Sequence, residues 1–205
     1  MTADRDSAAR GGMRTALADR LLGPDASRAE AGLALGAGAA FALAVPALAY
    51  ARGIEWTMVQ AVVAGLLAFD LFGGAAVNAS EAGRRFYHAP GRRTADHLGF
   101  VAAHVLHVAA LAWLFRDGDW GYAAGFSALL LACAALVLAA PPHVRRPVTM
   151  VAYAAALVIA LTATAPAPGM EWFIPVLYLK LLVAYLLGTV DGRIPPAREP
   201  ATSDS

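Results

Sequence analysis

The sequence predicts an all-α fold: a single-domain bundle of six transmembrane helices with both termini in the cytoplasm. Three observations predict it. Of the 205 residues, 59% are hydrophobic and 15% charged, where a soluble domain carries about a quarter charged residues. The charges cluster, leaving apolar stretches of roughly the 20 residues that a spanning helix needs. The basic residues then alternate between successive connections. With a formal net charge of +1 and so much apolar mass, disorder and nucleic-acid binding are both excluded. No even series of alternating ten-residue strands supports a barrel.

The tail, residues 1–28, comes first. Met13, Leu17 and Leu21 recur every fourth residue with Arg14 and Arg20 off that stripe, which predicts a short interfacial helix. Gly23-Pro24 ends it, and Asp25 or Ser27 caps the next helix. The membrane domain covers 29–190, with spans at 32–50, 54–77, 95–115, 121–140, 148–165 and 172–189. Ala47-Leu48-Ala49 has the form of a signal-peptidase site, but the apolar run before it is long and begins some 30 residues into the chain. The first segment is therefore expected to remain as a helix. Residues 191–205 are Pro-rich and polar, the composition of a disordered tail.

Orientation follows from the arginines. The tails and the second and fourth connections hold 13 of the 15, and Arg52 and Arg116 are the other two. The positive-inside rule then puts both termini in the cytoplasm of a cell whose inner membrane the chain crosses. Trp56, Trp120 and Trp172 fall at the outer boundary as aromatic anchors.

The spans hold few strongly polar groups: Gln60, Asp70, His104, His107 and Lys180. Asp70 and Lys180 are the charged pair well inside the membrane, where a central charge costs about 2.5–3.5 kcal/mol on insertion scales. At helical rise Asp70 lies roughly 10 Å from the cytoplasmic side, and His104 and Lys180 roughly 13 Å, so the three share one layer. His107 lies one turn deeper. At 100° per residue Asp70, Gly73, Gly74, Val77 and Glu81 form one stripe, with Asn78 beside it. The glycines leave room beside the aspartate for another backbone or a solute. His97, Phe100, His104, His107 and Leu111 form a second stripe, and the two polar faces are expected to meet.

Asp70, His104, His107 and Lys180, shaped by Gly73, Gly74 and Asn78, are accordingly the candidate binding residues. Three functions fit them. Asp and His are proton-relay groups, which points to moving or sensing a proton or small solute. Asp70, His104 and His107 are also the candidate ligands of an intramembrane metal enzyme, with the histidines at i, i+3. The third is a non-catalytic accessory or structural subunit, because a buried ion pair can serve packing alone. No cofactor is strongly implied: both deep histidines lie on one helix, which is wrong for bis-histidine haem. Gly125-Phe126-Ser127 is similar to the Gly-x-Ser of six-span rhomboid proteases, but those pair the serine with a histidine on the last span. Here that span carries Lys180.

The connection 78–94 carries Arg84, Arg85, Arg92 and Arg93 with Phe86, Tyr87 and His88, a composition suited to an anionic lipid headgroup. Gly32, Gly36 and Ala40, and separately Gly121 and Gly125, form small-residue faces that permit close helix contact within the chain or in a homo-oligomer. The one cysteine, Cys133, rules out an internal disulfide.

Overall fold

The computed structural model describes residues 22–189. All but the last residue of the amphipathic stretch 13–22, and the polar tail 191–205, lie outside the described residues. Among the described residues every regular element is helical. Five helices are long and apolar enough to cross a membrane: α1 (Arg28–Ala51), α2 (Met58–Ala79), α4 (Thr94–Phe115), α5 (Trp120–Ala139) and α6 (Pro142–Thr162). Between α2 and α4 lies the short α3 (Glu81–Tyr87). The last apolar helix, α7 (Phe173–Gly188), occupies the expected sixth segment but is shorter than the others.

Local chemistry sets the helix starts. Ser27 accepts from the Glu30 amide at 3.2 Å while the Glu30 carboxylate accepts from the Ser27 amide at 2.8 Å. This reciprocal cap satisfies two of the amides that a helix start leaves unpaired. Thr57 and Gln60 repeat the arrangement on α2. Gln60 also donates to the Leu114 carbonyl at 2.7 Å, tying the start of α2 to the end of α4. Its polarity is spent on structure. Asp119 caps α5 through the Tyr122 amide.

Small residues bring α1 and α2 together, but not those expected. Gly32, Gly36 and Ala40 are exposed, as are Gly121 and Gly125. The face that packs is Ala34, Gly38 and Ala42, with the same spacing two residues later. A β-carbon at Gly65 would lie 2.9 Å from the Ala42 carbonyl oxygen, and one at Gly73 would lie 2.9 Å from that of Ala34. Only glycine allows backbones this close.

α7 is the axis of the bundle. Phe173, Leu177, Leu181, Leu182 and Leu186 are fully buried. Leu43, Tyr50, Met58, Leu106 and Leu161, on the surrounding helices, stand more than half exposed. Large apolar side chains outside are what lipid contact requires, and lipid tails being as apolar as leucine, close packing holds the interior.

Two ends can be distinguished. At one, Arg52 grips both oxygens of Glu171 (2.9 and 3.2 Å), and Arg116 donates to the Ala165 carbonyl. Trp56 packs on Phe115 and over Gly169, while Trp172 turns inward onto Phe72. At the other end α3 and the arginine-bearing connections gather, and Gly188 abuts the His88 ring.

Candidate functional site

Asp70 and Lys180 meet. The lysine Nζ donates to Asp70 Oδ2 at 2.6 Å, and His107 donates to the same oxygen from Nε2 at 3.1 Å. The lysine side chain is 3% exposed and that of Asp70 44%. The ammonium is therefore sealed in the bundle, while the carboxylate keeps an open side.

The backbone beneath each partner is irregular. Asp70 lies in a π-helical turn, Phe69–Gly73, inside α2. Lys180 lies in a longer π-helical stretch, Leu179–Tyr185, inside α7. His104 stands at a break in α4 between Thr94–Ala103 and Val105–Phe115. Such turns are rare and recur at functional sites. Each widened turn also changes the helical phase beyond it, which is why faces drawn at a uniform 100° per residue go astray here.

The predicted stripe on α2 accordingly splits. Gly74 faces the site: a β-carbon there would lie 2.7 Å from Lys180 Cε, so its absence makes the space the lysine occupies. Asn78, one turn on, is buried and donates from Nδ2 to the Lys180 carbonyl at 3.5 Å. Gly73 turns away and serves the α1 contact. Glu81 belongs to the next helix, beyond the Ser80 cap.

The histidines also rearrange the expected layer. His107, expected a turn too deep, is the one bonded to Asp70. His104 donates from Nδ1 to the Phe100 carbonyl at 2.9 Å, which leaves Nε2 as its lone-pair nitrogen. The two rings stack at 4.9 Å. His107 Nδ1 is buried without a hydrogen-bond partner among the described residues. One ligand atom from each of Asp70, His104 and His107 falls within 4.8 Å of the others. The α2 and α4 polar faces do not close on each other along their length. Both turn to α7: Asp70 to Lys180, and His97 and Phe100 to Tyr185.

Tyr185 was not legible as part of this group. It shares a 2.9 Å hydrogen bond with His97 Nδ1 and stacks on Phe100 at 4.2 Å. In an α-helix Lys180 and Tyr185 would diverge. In a stretch bonded from i to i+5, residues five apart come to one side. His88 stacks on His97 at 4.9 Å, so rings continue from the basic end to His107: His88, His97, Tyr185, Phe100, His104, His107. Burial, with the neighbouring His97 adding to it, pushes the His88 ring down to about 4.

Ser127 and Lys180 form no dyad. Ser127 Oγ is buried without a hydrogen-bond partner, and the lysine is engaged by Asp70. The arginines of the 78–94 connection disperse. Arg85 pairs with Glu81 at 3.8 Å and Arg93 with Asp96 at 3.7 Å. Arg92 lines a cavity of about 350 Å³ with His88, His97 and Arg145.

The chain matches no protein-family model, no curated protein and no solved structure. Its function is therefore argued from the geometry alone.

Proposed function

We propose that this is a six-span protein of the cytoplasmic membrane, termini inside, whose Asp70–Lys180–His107–His104 cluster binds and releases a proton in moving or sensing a proton or small solute. One observation carries the reading. A carboxylate oxygen shared by a lysine and a histidine lies inside apolar helices, with Asp70 and Lys180 each on a π-helical turn. Ionisable groups are costly there and mark ion pathways. The open side of Asp70 gives a proton or solute access, and Gly74 and Asn78 fix the lysine opposite. The six-span count is supported by α7, which runs from Trp172 to the His88 end. The orientation rests on the arginines gathered at that same end.

Infrared difference spectroscopy between acid and neutral buffer tests the site. The wild type should show a carboxyl band that Asp70→Asn removes. A spectrum unchanged by that substitution would reduce the cluster to a packing bridge of an accessory subunit. Topology is tested separately. A reporter active only outside the cytoplasm should work when fused after Arg116 and be silent after Arg93 and at the C-terminus.

A second reading, a metal-dependent enzyme, is favoured by the donor atoms of Asp70, His104 and His107 lying together. Against it, Lys180 already holds Asp70 Oδ2, so a cation bound there would face a fixed ammonium. Stoichiometric metal in purified protein, lost with His104→Ala, would reverse this preference.

A further inference from the structure

We propose that a groove between α2, α6 and α7, at the basic end of the bundle, binds one anionic phospholipid with its phosphate on Arg84 and Arg146. The groove encloses about 670 Å³ and its walls are apolar. Leu179, Val183 and Leu187 form its α7 side and Ala79 stands on its α2 side. From Leu179 to Leu187 the groove runs at most about 12 Å at α-helical rise, most of the roughly 15 Å depth of one leaflet's hydrocarbon. Small side chains on α2 leave the width for an acyl chain.

Both arginines line the same groove and come from different elements. Arg84 is held by α3, whose start is fixed by the Ser80 hydroxyl accepting from the Gly83 amide at 3.0 Å. Gly83 itself sits tight against the Val77 carbonyl, so α3 leaves α2 at a set angle. Arg146 stands in the opening turns of α6, which begins at Pro142. Two guanidiniums beside an apolar channel complement a phosphodiester that carries a net negative charge, and guanidinium geometry suits phosphate. A free phosphate has no use for the apolar walls, which commits the site to lipid. Of the four arginines in the 78–94 connection, Arg84 alone lines this groove. The inference needs the membrane but not the proton chemistry of the Asp70 cluster.

Native mass spectrometry of the full chain, delipidated in detergent and titrated with phosphatidylglycerol or with phosphatidylcholine of the same acyl chains, tests it. Phosphatidylglycerol should be retained roughly 30-fold better, from about fivefold per guanidinium. Arg84→Gln with Arg146→Gln should erase that preference, and Arg93→Gln on the same face should keep it. Ala79→Phe, which fills the groove while leaving both arginines, should lose the bound phosphatidylglycerol and provides an independent variant. Equal retention of the two lipids would overturn the proposal. So would an Arg93→Gln loss as large as that of the double variant, retention through Ala79→Phe, or displacement of the lipid by millimolar inorganic phosphate.

Discussion

Asp70 and Lys180 are unequally buried, and this sets an unequal response to removing either. Asp70→Asn strands an ammonium that is 3% exposed, and an uncompensated buried charge costs about 3–5 kcal/mol. Lys180→Met leaves a carboxylate that is 44% exposed and still accepts from His107. Its loss is that of one charged hydrogen bond, about 1.5–3 kcal/mol. For a chain of this size each kcal/mol moves the melting temperature by about 2–4 °C, so Asp70→Asn should melt roughly 6–20 °C lower and Lys180→Met roughly 3–12 °C lower. The double variant removes both charges and should recover most of the loss, because replacing a buried pair by uncharged groups is often neutral. Thermal melting of the four proteins in one detergent measures the cycle. Single losses that add to within about 0.5 kcal/mol would refute the pairing. A larger loss for Lys180→Met than for Asp70→Asn would refute the burial argument while leaving the pair.

Gly74→Val should reproduce much of the Asp70→Asn loss, since its side chain takes the volume of Lys180 Cε, and adding Lys180→Met should relieve it; melting of the two variants checks this. Tyr178→Phe removes a buried hydroxyl that donates to the Phe126 carbonyl at 2.5 Å, and should cost about 1 kcal/mol in the same assay. His88 sits below its ordinary value of 6.5, at about 4, so the unfolded chain binds its proton first. Its contribution is complete above 6.5 and is lost as pH falls toward 4. His88→Gln should flatten the decline in melting temperature over that window.

The apolar segments were legible because length and composition fix a spanning helix almost without context. Asp70 and Lys180 stood out for the same reason: they are the charges that lipid would not accept. Their partnership could be guessed from opposite sign, but the role of His107 over His104 could not. That depends on where a helix departs from 3.6 residues per turn, and no residue between Phe69 and Gly73 or between Leu179 and Tyr185 announces a departure. The small-residue face failed differently. Gly32-x-x-x-Gly36 and Ala34-x-x-x-Gly38 are equally good patterns on one helix, and the choice lies with Gly65 and Gly73 on its neighbour. Gln60 was read as an intramembrane polar group because the Thr57 cap was overlooked.

The wide turn at Phe69–Gly73 makes chain length itself part of the site. A π turn holds one more residue than the α turn it replaces. Deleting Leu71 would let α2 run on as an ordinary helix, every hydrogen bond made and every polar residue retained. Yet all that follows would swing by about 100°. Gly74 would no longer stand opposite the lysine, Asn78 would point elsewhere, and the arginine on α3 would leave its groove. A one-residue deletion would therefore do what no single substitution can. It would uncouple the aspartate from everything downstream of it while leaving the composition of the span almost untouched. In a protein of this kind, insertions and deletions inside a helix should be counted as changes to the site, even where each named side chain survives.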